Sequence, residues 1–598
     1  MEKNARISLI GSAIIAGVLA LYGGWTRRWM SDDGLIVLRT VRNIVAGNGP
    51  VFNAGERVEA NTSTVWQYLI AAVAWVTPAR LEDIAMWLAL GLTTIAAVVA
   101  VVAAAKYWGG VVAPLGIFVY FALPPARDFA TSGLEWGLSL AWLATWWALL
   151  VWWAHPAGRR FLPPVGYWLA LWCGLSWLVR PELALYGGVT GIVLLFAAQN
   201  WKQRLGILAV ALPVPAAYQI FRMGYYGLLT PHTAVAKSAS DSQWGTGFGY
   251  AWDLLAPYAL YLPLIVVIAL LAWFARDVRN RRRTILLLVA GVAFAHIVYV
   301  LKVGGDFMHG RMWLLPLFAL LLPSMVVPLN KVTTTAVAAV VVWAAVVVVR
   351  ANPVDWEVYE NEELNIVDER EFWSNATRSQ PGHPPRYAED FLSVKVLGPD
   401  WEKKLNQAEE EDAAQLTHII VQREPELYSW LTLPRTEHET DLQAHPTTLY
   451  LLNLGMTSMN SELDVRVLDT MGLSTPLAAR MPRDPDARVG HDKYLPLEWQ
   501  VADTATDLSE LPDWIDDEVA RQARAALRTP EIAELLASSR EPMSWARFWE
   551  NVKFSLTGGR TLELDDDPAK YLDKATLVKI ENGKDPGLTG QQIAWLDR

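Results

Sequence analysis

Up to about residue 350 the chain is one apolar run after another, and beyond that point no stretch of about 18 apolar residues occurs. Lipid offers no hydrogen-bond partners to a bare backbone, so repeated runs of this length dictate a helical membrane bundle. The runs fall at 7–25, 82–105, 110–124, 132–153, 165–180, 182–199, 204–222, 253–275, 284–302, 311–328 and 332–350. The expected fold is therefore a polytopic α-helical membrane domain over 1–350, with about 11 transmembrane helices, followed by a soluble mixed α/β domain over 351–598. Charge divides at the same place. The first part carries a net charge of +12 and the second −22, for a total of −10. An acidic soluble half argues against nucleic acid as a partner, whose phosphates need a basic surface.

Orientation follows from the basic residues. Lys3 and Arg6, Lys106, Arg159 and Arg160, Lys202 and Arg204, the run RDVRNRRR and Lys331 belong in cytoplasmic loops. They alternate correctly with the spans only if the apolar segment 61–78 does not cross, which places the N-terminus inside and the second half outside. The first run lacks an A-x-A-type cleavage site and reads as a retained helix rather than a signal peptide. Cys173 is the only cysteine, so disulfide or multi-cysteine metal chemistry within the chain is ruled out.

This assignment leaves the non-basic loops on the outer face, and they hold nearly every unusual polar cluster of the first half. In SDDGLIVLRTVRNIVAGNG, apolar residues recur at Val37, Leu38, Val41, Ile44 and Val45. That spacing predicts an amphipathic helix lying on the membrane surface, with Asp32, Arg39, Arg42 and Asn43 towards its other side. The aspartates Asp32 and Asp33 are either helix caps or chemistry, as general base or as ligands of a divalent cation. SGLEWG sets Glu135 at the mouth of a span, and LVRPELAL sets Arg180 and Glu182 around a helix-breaking proline. YYGLLTPHTAVAK brings His232 and Lys237 into one loop, and VGGDFMHGRMWLLP carries Asp306, His309 and Arg311. Cations gathered on one side of the membrane suit a phosphate, for which arginine offers paired donors. Lys237, Arg311, His232 and His309 are accordingly expected at a donor phosphate, with Arg39, Glu135, Arg180, Glu182 and Asp306 around the substrate. No GxxxxGK[ST] or GxGxxG nucleotide motif is present, which fits a lipid-phosphate donor. The tryptophans of the second half, among them Trp373, Trp401, Trp430, Trp499, Trp514, Trp545 and Trp549, are expected to fill its core.

These stretches, together with LDTMGLSTPLAARMP at 468–482 and RVGHDKYLP at 488–496, closely resemble the actinobacterial terminal β(1→2) arabinofuranosyltransferase B family. The resemblance covers most of the chain. It implies a GT-C membrane fold at the plasma membrane, with an extracytoplasmic cap and the active site on that outer face. It further implies a decaprenyl-phosphoryl-arabinose donor and, as acceptor, the non-reducing ends of arabinan in arabinogalactan and lipoarabinomannan. In such enzymes an acidic residue of the first outer loop is the catalytic candidate, which maps onto Asp32 and Asp33. TPHT departs from the wider pattern, where Asn stands in place of His232, so Lys237 is the firmer phosphate ligand. A monomer is expected. Two other readings keep part of the pattern: a polyprenyl-phosphate transferase of another sugar such as mannose, and a transporter. A transporter would place ionisable residues near the midplane of two related halves, and no internal repeat is found.

Overall fold

A computed structural model describes residues 3–155, 164–236, 242–276, 278–350, 366–380, 382–436, 446–484, 487 and 491–583. Among these, five helices are long and apolar enough to cross a bilayer: Lys3–Thr26, Leu81–Trp108, Trp136–Ala154, Asn280–Lys302 and Lys331–Arg350. A sixth is the pair Trp201–Ala211 and Pro213–Tyr226, bent by 46° where Pro213 follows Leu212. Three more of the expected runs appear as the shorter apolar helices Val165–Val179, Pro181–Ala197 and Tyr261–Ala275. The segment 61–78 contains only Thr64–Ala74, which at 11 residues spans about 16 Å of a hydrocarbon layer about 30 Å thick.

Two expected spans are not single long helices. The run 110–124 is a strand, Val112–Pro114, followed by the short helix Gly116–Ala122. The run 311–328 is a short apolar helical stretch, Arg311–Ser324, that ends in the strand Val326–Pro328. The two strands pair antiparallel, Val112 opposite Pro328 and Pro114 opposite Val326. Non-helical backbone survives here because it is enclosed by protein: Leu115, Ile117, Tyr120, Leu322 and Val326 are all buried. The outward faces of the long helices show the converse: Ile7, Ile14, Val18, Phe294, Val342 and Val349 are exposed, the apolar surface that a membrane-spanning bundle turns to lipid.

The second half holds a four-stranded sheet in the order Glu426–Leu433, Gln415–Arg423, Thr448–Tyr450, Arg466–Leu468; the first pair is antiparallel and the others parallel. Helices flank the sheet, so this half is mixed α/β. Trp373, Trp401, Trp430 and Trp499 are core residues as expected, but Trp514, Trp545 and Trp549 are exposed.

The segment 26–63 lies between the two halves, and this corrects the surface-helix expectation. The outer helix Asp32–Ala46 buries Leu35, Leu38 and Val41 completely and packs along Leu454–Met459 of the second half. Neither aspartate caps it. Ser31 does, its hydroxyl accepting from the Gly34 N–H at 2.9 Å. Asp32 instead accepts from the N–H groups of Gly455 and Met456, at 3.3 and 2.6 Å, in the first turn of the Leu454–Met459 helix. At that helix's other end, Arg39 donates to the carbonyls of Ser458, Ser461 and Val465 at 2.9–3.0 Å, and Arg42 to those of Met459 and Ser461 at 3.1 Å. One helix thus supplies an acid to its neighbour's positive end and two arginines to its negative end. Contact is so close that a Cβ on Gly455 would come within 1.8 Å of the Asp32 carbonyl oxygen. A buried network adds a second joint. Glu56 receives Arg466 and Arg540 at 3.0 and 2.8 Å, and both arginines also bind Asp503.

Two measurements check this joint. Arg39→Ala leaves the buried Val465 carbonyl without its donor and takes one donor each from Ser458 and Ser461, which keep only Arg42, and should cost about 2–4 kcal/mol. Its thermal-unfolding midpoint in detergent should fall well below that of Arg42→Ala, whose side chain is 24% exposed. Equal midpoints would remove Arg39 from the joint. Burial, opposed by the Met456 and Gly455 N–H groups and reinforced by Asp33, pushes the Asp32 carboxyl up to about 7. The folded state therefore holds a proton there that the unfolded chain releases near pH 4. Stability from this group is full below about pH 4 and is lost as pH rises to about 7, on the order of 4 kcal/mol at most. Asp32→Asn should flatten the difference in midpoint between pH 4 and pH 7; an unchanged profile would show that Asp32 does not set it.

Candidate active site

The loop after the Asn280–Lys302 helix builds the centre of the site. Gly305 sits at φ +81°, and a Cβ there would meet the Tyr250 ring at 2.3 Å, so only glycine allows the chain to turn beneath Tyr250. The turn presents Asp306, Phe307 and, at the start of a 3₁₀ turn, Arg311. Asp306 accepts from the Phe307 N–H at 2.9 Å and pairs with Nε of Arg311. The same guanidinium donates through Nη1 to Oδ2 of Asp33 at 3.2 Å.

Two cavities meet here. The first, of about 560 Å³, is lined by Arg180, Glu182, Asp306 and Arg311 and by apolar and aromatic groups including Trp177, Leu185 and Tyr299. Arg180 is held there by Glu182 at 2.8 Å, by Glu135, and by the Trp136 ring, 4.6 Å from its guanidinium carbon. The second, of about 270 Å³, lies beneath the second half of the chain, with Asp32, Asp33, Glu369, Asn453, Trp373 and His491 among its lining residues. Phe307 lines both cavities. Arg311 lines the first and bonds to Asp33 in the second, so one ion pair joins two largely apolar chambers, the second of which carries the carboxyls of Asp32, Asp33 and Glu369.

The expected residues sort accordingly. Asp33, Arg311, Asp306, Arg180 and Glu182 come together around these cavities, and Glu135 stands behind Arg180. Arg39 is corrected: it is fully buried and spent on carbonyls, so it cannot reach a substrate. His309 is corrected too. It lines neither cavity, because its Nδ1 faces Asp253 at 2.6 Å and its Nε2 the Tyr258 hydroxyl at 2.9 Å. His232 is buried against the Leu473 carbonyl at 3.4 Å; burial and nearby Arg480 bring its pKa down to about 4. It is neutral at physiological pH and absent from the first cavity's lining, where its neighbour Thr233 stands instead. Lys237 lies outside the described residues. As for a cation, the Asp32 oxygens face two N–H groups and Asp33 faces a guanidinium, so the pair is not an open ligand set. Among the described residues no three His, Cys, Asp or Glu side chains converge to hold a metal ion.

Sequence reasoning missed Glu369. Burial and the charge of Asp33 push its carboxyl well above the usual range; the Trp373 indole donates to Oε1 at 3.2 Å and Oε2 has no partner. The only signal was a cluster of acids in VDEREFW, which resembles any solvated helix start.

Fold and site together describe a helical bundle of membrane-spanning character with two chambers joined at an ion pair. The second half matches the AftB family C-terminal domain over residues 394–574. The chain is 50% identical to a terminal β-(1→2)-arabinofuranosyltransferase of Corynebacterium glutamicum, over 98% of this chain and 90% of the relative. It is 38% identical to one of Mycobacterium tuberculosis, over 92% of this chain and 94% of the relative. The chain belongs to this family of glycosyltransferases. No solved structure matches it.

Glu369 should carry a proton at pH 7. The infrared spectrum of the wild-type protein should contain a protonated-carboxyl stretch that Glu369→Gln lacks; identical spectra in that region would show the group ionised.

Proposed function

We propose that this protein transfers arabinofuranose from decaprenyl-phosphoryl-arabinose to the non-reducing ends of cell-wall arabinan, forming terminal β(1→2) linkages. The reading adopts a GT-C fold with about eleven crossings over 1–350. Residues 351–598 then form an extracytoplasmic cap, with the site facing the outside of the plasma membrane. Full-length similarity to the two curated relatives supports the reaction, and the basic inner loops support the orientation.

One observation carries the assignment of roles: the 3.2 Å pair between Arg311 and Asp33 at the junction of the two cavities. In this reading the donor's prenyl phosphate lies in the first cavity, its charge against Arg180 and Arg311, and the arabinan hydroxyl enters the second. The bond from C1 to the phosphate oxygen breaks, and the electron pair leaves with the prenyl phosphate towards the guanidinium groups. The acceptor oxygen bonds C1, and its proton passes to a carboxylate. Asp33 is placed for this work because it is 27% exposed and lines the second chamber, whereas Asp32 is committed to Gly455 and Met456. A β donor and a β product mean overall retention. Asp33 is either the base on an acceptor that attacks C1 from the face the phosphate leaves, or a nucleophile. As nucleophile, its bond to C1 forms as the phosphate departs and breaks as the acceptor oxygen attacks, its freed carboxylate then taking the acceptor's proton.

The test is transfer from radiolabelled decaprenyl-phosphoryl-arabinose to a short arabinan acceptor by purified protein. Asp33→Asn should lower the rate about 10²–10⁴-fold, with donor affinity kept. Arg311→Gln should weaken donor binding by about 1.5–3 kcal/mol. Transfer by folded Asp33→Asn at near the wild-type rate would overturn the assignment of Asp33. Failure of the wild-type protein to transfer arabinose would overturn the function.

A further inference from the structure

A third cavity, of about 690 Å³, adjoins the first across the short His232–Ala236 helix, whose Ala234 lines both. Leu228 and Val235 face it from the outer loop; Arg480, Arg483, Lys493 and Arg560 face it from the second half. Arg480 and Lys493 sit in the segments 468–482 and 488–496, and the transfer site described above uses neither residue.

The charges here are out of balance. Arg480 is 7% exposed; its Nη1 donates to the Leu562 carbonyl at 3.3 Å, and its Nε has no partner. Lys493, 9% exposed, donates to the carbonyls of Ala479 and Val235 at 2.5 and 3.1 Å. Among the described residues no carboxylate stands within ion-pair distance of either. Arg483 is paired with Asp492 at 2.6 Å, and Glu563 is the one acid among the described lining residues, which leaves them net positive. Burial alone pulls Arg480 down to about 10; burial, together with Arg480 and Arg483 and only partly offset by Asp492 and Glu563, pulls Lys493 down to about 8, so both fold at a cost. A buried cation with too little counter-charge is expensive. An anion entering this cavity would supply what the protein's own side chains do not.

Position narrows the anion. The cavity begins one residue past Gly227, which ends the apolar Pro213–Tyr226 helix. Against the last turns of that helix packs Trp545–Leu556, with the Phe548 ring 2.1 Å from where a Gly224 Cβ would stand. Ser555 of this packed helix lines the cavity, and its Trp545 and Trp549 are exposed beside the bundle, as interfacial tryptophans are. The basic groups therefore lie at the end of an apolar helix, where a spanning helix meets lipid headgroups.

We propose that this cavity is a second anion site, separate from the transfer site, that binds a phosphate ester through Arg480 and Lys493. The phosphate is either a lipid headgroup's or free. The experiment uses full-length protein in a phosphate-free maltoside detergent. Inorganic phosphate and, separately, phosphatidylglycerol in mixed micelles are titrated while the thermal-unfolding midpoint is followed. At least one should stabilise the wild type, and Arg480→Gln and Lys493→Gln should each weaken its apparent affinity about 10-fold or more. Stabilisation by both probes would show that the phosphate suffices; stabilisation by the lipid alone would assign the site to a headgroup. Arg311→Gln, which alters the transfer site, should leave these titrations unchanged. Lys493→Met repeats the comparison if the Arg480 variant does not fold. No stabilisation by either probe, equal affinity in the Arg480 and Lys493 variants, or loss through Arg311→Gln instead would overturn the proposal.

Discussion

The structure depends on two side-by-side helices that share their end charges. Asp32 meets the N–H groups at the start of Leu454–Met459, while Arg39 and Arg42 meet the carbonyls at its end. A helix of six residues has almost no internal hydrogen bonding to sustain it, since nearly all its backbone groups are terminal ones. Its partner satisfies those groups from outside. The same contacts press the second half of the chain onto the segment 26–63, closing the second chamber over Asp33.

The fixed position of Asp32 has a consequence for its neighbour. Adjacent residues on a helix diverge by about 100°. With Asp32 turned into the joint, Asp33 is turned away from it, towards Arg311. Asp306 holds Arg311 from the other side, on a loop that only Gly305 lets pass beneath Tyr250. The ion pair that links the two cavities thus follows from a helix joint on one side and a glycine turn on the other. Its guanidinium is shared between two carboxylates, which fixes its orientation.

Much of the fold was legible because the signals were local. The runs 7–25, 82–105, 132–153, 284–302 and 332–350 each became one long helix, as unbroken apolar sequence must in lipid. The runs 110–124 and 311–328 read just as apolar, yet they form paired strands and short helices, since enclosure by neighbouring helices removes the need for each to satisfy its own backbone. The site was legible in part. Asp33, Arg180, Glu182, Asp306 and Arg311 stood out as charges beside apolar runs, and they do gather. Arg39 and His309 stood out for the same reason, but their partners, the carbonyls of 458–465 and Asp253, are set by packing. Glu369 could not be singled out, because its unusual environment comes from burial beside a residue 336 positions earlier in the chain.

By itself, the sequence determined an apolar helical bundle with a polar second half, the charges available on the loops between the runs, and the family to which the chain belongs. These rest on hydropathy, charge and motif order, all of which are read along the chain. Only the tertiary structure decided which aspartate is spent on a joint, which arginine clasps the two halves and which lines a cavity, and that Glu369 shares Asp33's chamber. Those distinctions turn on which hydrogen-bond and charge partners each group meets once buried. In SDDGLIVLRTVRN, Asp32 and Asp33 are identical in kind and adjacent in position; a helix from the far half of the chain makes one a joint, while the other meets Arg311 between the two cavities.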